Sequence, residues 1–269
     1  MDTSTQIKEE VKNRYAAIAR KSSVSCCQPQ SDISCNSDDP MDYSIVGDTY
    51  KNVEGYVPDA DLGLGCGLPT EFAGIKPSDT VVDLGSGAGN DVFVARSIVG
   101  EDGHVLGIDM TEDMISLATK NNAKLGFNNV EFKLGEIENL PIGEKIADVV
   151  ISNCVLNLVP DKKKAFREIH RTLKTGGHFC ISDMVLHGAF PEKLKESVAL
   201  YAGCVSGALQ EQAYLDIVKE VGFTNIQVAQ RKEINIPDSL LEEYLSEQEI
   251  LQLHKSSVAL FSITVTAEK

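Results

Sequence analysis

The sequence predicts an α/β fold in which a mostly parallel sheet carries helices on both faces. From residue 80 onward, apolar stretches with the character of strands alternate with stretches that have helical spacing. The first of these strands ends in a glycine-rich turn, and an acidic residue closes the second. Alternating strands and helices are typical of parallel sheets with crossover helices, so these observations set the expected layer order.

Length and composition are those of a soluble globular protein. A chain of 269 residues can hold one large domain, or one domain with an appendage. No apolar run reaches the ~18 residues that a membrane span needs. The first 21 residues are charged and lack the apolar core of a secretory signal. We therefore expect a cytoplasmic enzyme that does not bind a membrane.

The charge balance argues against nucleic acid as a partner. A net charge of −15 repels a phosphate backbone unless a local basic patch intervenes. The densest basic run, residues 162–164, starts a helical pattern, and we expect it to form a solvated face. No heptad pattern or large apolar stripe is evident, which favours a monomer.

The elements follow in a regular order along the chain. Residues 4–21 have the pattern of an amphipathic helix, and residues 22–44 that of a polar loop. Strands are expected at 80–85, 104–109, 129–135, 147–152, 177–183, 226–234 and 261–269. Helices are expected between the first five strands, through most of 190–222, and over 237–256. The last of these helices is expected to pack on the sheet or to meet a partner.

A glycine loop follows the first strand. Its glycines fall at Gly85, Gly87 and Gly89, a closer spacing than the dinucleotide pattern. Glycines let backbone amides approach a ligand, and the following helix N-terminus favours negative groups. Asp109 closes the second strand, where a carboxylate can accept hydrogen bonds from both hydroxyls of a ribose. The alternative is that the glycines only form a tight turn and that Asp109 caps a helix.

This combination resembles the Rossmann-like class I methyltransferases that use S-adenosylmethionine, over roughly residues 70–185. Their sheet usually has seven strands, of which the last is antiparallel. The resemblance implies that one group of residues lines the methionine end of the cofactor: Asp83, Gly85, Ser86 and Gly87. It also implies that Asp109 holds the ribose, that Met110 packs on the adenine, and that Asn153 lies near the sulfonium. Glu136 and Ile137 would lie at the adenine edge.

Two of these assignments have simpler alternatives. Methionine is a general gap filler, so Met110 is also consistent with a core position. Carboxylates mostly face water, so Glu136 is also consistent with an exposed loop charge.

The seven cysteines are dispersed, without a CxxC pair, which argues against a zinc ribbon or a disulfide framework. Ligands of open α/β sheets bind outside the carboxyl ends of the strands, where Cys154 follows the fourth strand. Cys66 precedes the first strand, and Cys204 lies in an insert that can fold over the same edge. Three thiolates form a soft donor set that suits a thiophilic centre such as trivalent arsenic.

Four segments narrow the resemblance to the arsenite methyltransferases. They are YAAIARKSSVSCC, GLGCGLP, SNCVLNL and YAGCVSGAL, of which SNCVLNL is the most specific. The resemblance implies that Cys66, Cys154 and Cys204 bind As(III) and serve as the catalytic cysteines. It further implies S-adenosylmethionine as the methyl donor, an arsenite–thiol adduct as substrate, methylated arsenicals as products of arsenic detoxification, and reduction by glutathione or thioredoxin.

The other cysteines are interpreted differently. Cys180 lies inside a strand and is expected in the core. Cys26, Cys27 and Cys35 lie in the polar loop, where both members of the adjacent pair can bind arsenic or exchange thiols. Cys35 is the nearest candidate for a fourth cysteine that relays thiols, as the resemblance implies for some members.

Two competing functions remain open at this point. One is a methyltransferase for another small acceptor, which would need a base or a shaped apolar pocket instead of three thiols. The other is a thiol-based metalloid-binding protein. The expected division of the chain is an N-terminal helix and cysteine loop (1–65), a cofactor-binding core (66–187), and an arsenic-binding insert with the final strands (188–269).

Overall fold

The chain folds around one mixed sheet. The computed structural model describes residues 3–24, 50–195 and 207–269. Its strands are β1 (Thr80–Leu84), β2 (His104–Asp109), β3 (Val130–Leu134), β4 (Ala147–Asn153), β5 (Leu173–His187), β6 (Leu209–Gln210), β7 (Thr224–Ile234) and β8 (Ala259–Glu268). The order across the sheet is β3-β2-β1-β4-β5-β8-β7, and the two-residue β6 pairs with β5.

The strand directions confirm the predicted Rossmann-like fold. Strands β1 to β5 run parallel to their neighbours, whereas β8 is antiparallel to both β5 and β7. Apart from the short β6, the described residues therefore form a sheet of seven strands with the last one antiparallel, as the sequence analysis expected.

Helices cover both faces of the sheet. They are α1 (Thr3–Val24), α2 (Pro69–Phe72), α3 (Asn90–Val99), α4 (Glu112–Leu125), α5 (Lys162–Thr172), α6 (Glu192–Lys195), α7 (Glu211–Val221), α8 (Asp238–Leu241) and α9 (Glu247–Lys255). One core contains Phe166 of α5 and Tyr214 of α7, and the opposite core contains Phe93 of α3. None of the helices in the described ranges has both the length and the apolar character that crossing a bilayer requires.

The strand register determines where a site can form. Asp83 of β1 pairs with Gly107 of β2 and with Ile151 of β4, so the three central strands end at the same edge of the sheet. Each of these strands gives way to a loop at that edge. Side chains from residues far apart in the sequence therefore meet there.

Several details differ from the sequence prediction. Strand β5 begins four residues before the expected range of 177–183 and ends four residues after it. The expected helix over 237–256 is divided into α8 and α9, because Ser246 caps α9 and forms a reciprocal capping box with Glu249. Lys162 is buried, and its Nζ donates to the carbonyl oxygens of Asn157 and Val159. The expectation that residues 162–164 form a solvated face is therefore wrong for Lys162, whose ammonium is held by backbone carbonyls instead of water.

Candidate active site

A cavity opens at the carboxyl ends of the central strands. All nine residues that the sequence analysis assigned to the cofactor line it: Asp83, Gly85, Ser86, Gly87, Asp109, Met110, Glu136, Ile137 and Asn153. Cys154 lines the same cavity. Their contacts with a cofactor remain a prediction, but these residues come from the ends of four different strands and share one wall.

The glycine loop has a backbone that only glycine adopts without strain. Gly85, Gly87 and Gly89 all have positive φ, at 72°, 51° and 98°. A Cβ on Gly85 would lie 2.4 Å from Cγ2 of Val155, so the loop also approaches the β4 side closely. A Cβ on Gly87 would meet no protein atom within 4 Å, which leaves backbone at the cavity open to a ligand.

Asp109 organises the loop from the end of β2. One carboxylate oxygen accepts from the Gly87 N–H at 3.0 Å, and the other accepts from the Thr111 N–H at 2.8 Å. Burial raises the pKa of Asp109, and the hydrogen bonds from Thr111 and Gly87 oppose that shift. The Asp109 side chain is therefore held rigidly, with acceptor capacity that remains for a ligand.

The cavity is strongly acidic. Burial, followed by repulsion from Asp91 and Asp109, raises the pKa of Asp83 well above its ordinary value. Burial also raises the pKa of Asp91 to about 6, although hydrogen bonds from Asn153 and Tyr50 lower it. Such carboxylates ionise more readily beside a cation, so the cavity suits a ligand that carries positive charge.

Two buried polar atoms support a ligand with hydrogen-bonding groups. Within the described residues, the Ser86 hydroxyl and the Asn90 carbonyl oxygen have no hydrogen-bond partner, and both residues line the cavity. Buried polar atoms are normally satisfied, so these atoms are suited to a polar ligand or to water. The positive sulfonium, the ammonium and the ribose of S-adenosylmethionine match this wall in charge and in hydrogen-bonding groups.

Helix α1 forms the outer wall of the cavity. Lys8, Val11 and Tyr15 line it, and Lys8 pairs with Glu136 at 2.7 Å and also with Glu138. The Glu136 side chain is 56% exposed and lies at the rim of the cavity. This position is consistent both with the predicted cofactor contact and with an exposed loop charge. The sequence analysis missed Glu138, which is buried although its sequence context is that of a loop.

Met110 and Ile137 form apolar parts of the same wall. Ile137 belongs to the core between the sheet and α5. Met110 is partly buried and packs against the apolar cluster that contains Cys66 and Cys154. It also lines the cavity, so its core alternative and its predicted adenine contact are compatible.

Cys154 occupies an unusual backbone position at the exit of β4. It has φ of 59°, a left-handed conformation that non-glycine residues rarely adopt. Its N–H donates to the Ser182 carbonyl at 2.7 Å, which holds the turn against β5. The side chain is buried in the same apolar cluster as Cys66. Backbone strain of this kind clusters at functional sites.

Cys66 is fixed by its main chain. Its N–H donates to Oδ1 of Asn153 at 2.9 Å, and its carbonyl accepts from the Ser262 hydroxyl at 2.6 Å. Because Cys154 follows Asn153 directly, one carboxamide ties the Cys66 segment to the strand end that carries Cys154. The two cysteines also belong to the same buried apolar cluster, in which Cys66 is 1% and Cys154 5% exposed.

Of the remaining cysteines, only Cys180 lies within the described residues. Cys180 is fully buried within β5, which confirms its predicted core position, and burial raises its pKa to about 12. Cys26, Cys27, Cys35 and Cys204 lie outside the described residues. The described part of the chain thus contains two of the three cysteines assigned to arsenic.

The sequence analysis also missed Tyr50 and Asp91. The Tyr50 hydroxyl donates to the Asp91 carboxylate at 2.9 Å and accepts from Nδ2 of Asn153 at 2.6 Å. Asp91 was recognisable in part, since it lies two residues after the last glycine of the loop. No motif marks Tyr50, which is 41 residues earlier in the chain.

The fold and the cavity define the class as a methyltransferase. A family model described as a methyltransferase domain matches residues 75–222, which include the glycine loop, Asp109 and Cys154.

Individual relatives narrow this class. The chain is 42% identical to the arsenite methyltransferase of Halobacterium salinarum over 85% of this chain, and 35% identical to that of Mus musculus over 76%. It resembles the crystal structure of an arsenic (III) S-adenosylmethionine methyltransferase from Chlamydomonas reinhardtii, with a TM-score of 0.65 and 35% sequence identity. The match covers 76% of this chain and 67% of the Chlamydomonas chain. The chain belongs to the arsenite methyltransferase family. It spans 60% of the Halobacterium protein and 56% of the mouse protein.

Proposed function

We propose that the protein transfers methyl groups from S-adenosylmethionine to trivalent arsenic that is bound by the thiolates of Cys66, Cys154 and Cys204. The observation that carries this proposal is the carboxamide of Asn153, which joins the Cys66 segment to the strand end bearing Cys154 beside an acidic cavity. The family relationship supports the same acceptor, since the named relatives are arsenite methyltransferases.

The cofactor site in this proposal uses the acidic wall of the cavity. Asp109 would accept hydrogen bonds from the ribose hydroxyls, with its orientation already set by Gly87 and Thr111. Asp83 and the glycine loop would face the methionine end, whose positive groups suit buried carboxylates. When bound there, S-adenosylmethionine would supply an electrophilic methyl group in the cavity that Cys154 lines.

The thiolates perform the other half of the chemistry. Soft sulfur donors hold trivalent arsenic, which keeps a lone pair after it binds three sulfurs. That lone pair forms the arsenic–carbon bond while the carbon–sulfur bond of the sulfonium breaks and its electron pair stays on sulfur. Arsenic passes formally from the trivalent to the pentavalent state, and the protein contributes mainly by positioning the reactants.

A thiol reductant completes the proposed cycle. Pentavalent arsenic must regain two electrons before a further methylation, and glutathione or thioredoxin supplies them by thiol–disulfide exchange. The chain is proposed to act as a monomer in the cytoplasm on an arsenite–thiol adduct. Its net charge of −15 disfavours nucleic acid as an alternative partner.

The test combines purified protein, methyl-labelled S-adenosylmethionine, arsenite and glutathione or a thioredoxin system. We expect labelled methylarsenicals from the wild type, a loss of at least 100-fold in Cys154→Ser, and unchanged cofactor affinity in that variant. Cys180→Ala is the matched control, because Cys180 is buried in the neighbouring strand away from the cavity wall, and it should retain activity. Lost cofactor binding in Cys154→Ser would show that the residue has a different role.

The same assay distinguishes the two competing functions. Methylation of another acceptor without methylarsenicals would replace arsenic as the substrate. Arsenite binding without any binding of S-adenosylmethionine would instead identify a metalloid-binding protein.

A further inference from the structure

A buried hydrogen-bond network, the Asp91 network, joins Asn153 to two residues that have no assigned role, Asp91 and Tyr50. It lies between the wall of the cavity and the backbone of Cys66. All three residues line the cavity, and Tyr50 is only 4% exposed. It therefore connects the proposed cofactor site directly to one of the proposed arsenic ligands.

Both polar atoms of the Asn153 carboxamide have hydrogen-bond partners within the protein. Its Oδ1 accepts from the N–H groups of Cys66 and Gly67, at 2.9 and 3.3 Å. Its Nδ2 lies 2.6 Å from the Tyr50 hydroxyl oxygen, 2.8 Å from the Gly67 carbonyl and 3.1 Å from the Asp91 carboxylate. Two amide protons thus serve three acceptors. The segment is also tight, because a Cβ on Gly65 would lie 2.7 Å from Nδ2.

The orientation of this carboxamide depends on Asp91. An ionised carboxylate only accepts hydrogen bonds, so the Tyr50 hydroxyl donates to it and accepts from Asn153. The amide nitrogen of Asn153 must then face Tyr50, and the amide oxygen must face the N–H of Cys66. A flipped carboxamide would turn an N–H₂ group towards the Cys66 N–H and would release that segment.

We propose that the Asp91 network couples the two binding sites, so that an occupied cofactor site tightens the binding of arsenite through the placement of Cys66. A positive group of the cofactor in the cavity would attract the Asp91 carboxylate and fix its position, and the hydrogen bonds from Tyr50 and Asn153 would then hold the network in a single orientation. The Cys66 segment is then ordered before arsenite arrives, and arsenite binding loses less conformational entropy. The coupling is reciprocal, so arsenite also tightens cofactor binding by the same factor. Tyr50 is a positioning residue in this scheme, because it acts through Asn153. The inference rests on the proposed function.

The test measures coupling and not activity. Arsenite is titrated calorimetrically into the full chain with glutathione present, with and without sinefungin, a cofactor analogue that carries a protonated amine in place of the sulfonium and cannot donate a methyl group. We expect about tenfold tighter arsenite binding in its presence for the wild type. For Tyr50→Phe we expect a ratio below about threefold. Tyr56→Phe is the matched control, because Tyr56 neither lines the cavity nor belongs to the Asp91 network, and it should keep the wild-type ratio.

The outcomes separate the inference from the proposed function. A protein that is merely loosened by the substitution would lose affinity for both ligands with an unchanged ratio, which would overturn the role of Tyr50. A wild-type ratio near one would overturn the coupling while leaving arsenite methylation intact. No arsenite binding by the wild type would overturn both proposals. Asp91→Asn gives a second variant, and it should also reduce the ratio, because its amide can donate where the carboxylate only accepts.

Discussion

Replacing Asp109 by alanine tests the predicted ribose site most directly. In the structure the carboxylate accepts two backbone N–H groups at 3.0 and 2.8 Å and keeps capacity for two ribose hydroxyls. A hydrogen bond to a charged group contributes about 1.5–3 kcal/mol. Two such bonds, less the desolvation that raises the pKa of Asp109, amount to about 3 kcal/mol, or about 100-fold in cofactor Kd.

Isothermal titration with S-adenosylhomocysteine measures this change. Asp102→Ala is the charge-matched control, because Asp102 is exposed in the loop at the opposite end of β2. The loss of acceptors for Gly87 and Thr111 should cost only about 1–2 kcal/mol of folding free energy, or a few degrees in Tm. Arsenite affinity without cofactor should stay within about twofold of the wild type. A change in cofactor Kd below about threefold would refute the ribose role.

Three further predictions follow from other parts of the cavity. Gly87→Ala should cost about 1–2 kcal/mol of stability and should weaken cofactor binding about tenfold. Gly85→Ala should in addition lower Tm markedly, because its Cβ would clash with Val155. Wild-type cofactor affinity in Gly87→Ala would contradict this prediction. Cofactor affinity should fall as the pH drops below about 6, because protonation removes the charge of Asp91. A calorimetric pH series of Asp91→Asn should lack this decrease in affinity. A pH profile equal to that of the wild type would count against the role of Asp91. Lys8→Met should weaken cofactor binding about threefold, because it removes the ion pair that holds α1 to Glu136 at the cavity rim. Lys12→Met, on the exposed face of α1, should leave cofactor binding unchanged. Equal effects of the two substitutions would indicate a general effect of charge.

The central strands were predictable because their signals are local. Strands β1 to β4 match the expected ranges to within one residue. Strands β1, β2 and β4 are short, mainly apolar runs, and β3 alternates apolar with charged residues between turn residues. The division between α8 and α9 was missed, although Ser246 and Glu249 have the spacing of a capping box. The burial of Lys162 had no such signal, because its carbonyl partners belong to the preceding turn and depend on the packing of α5.

The site was predictable only in part, because some of its contacts join residues that are far apart in the sequence. The glycine loop and Asp109 follow strands whose ends meet in any parallel sheet, so their shared position follows from fold class alone. The Asp91 network instead depends on contacts between residues separated by as many as 103 positions. Pairings of that range arise from the tertiary fold. The positive φ of Cys154 was equally hidden, because glycine or asparagine would be the expected residue there.

The backbone of Cys154 has a consequence for directed evolution of this protein. A left-handed cysteine costs about 1 kcal/mol or more relative to glycine at the same position. In the proposed function Cys154 binds arsenic, so a library that is sorted only for heat resistance and accepts Cys154→Gly would yield folded clones that lack this ligand. Selections for a more robust variant need to hold this codon constant, or to score turnover in every round.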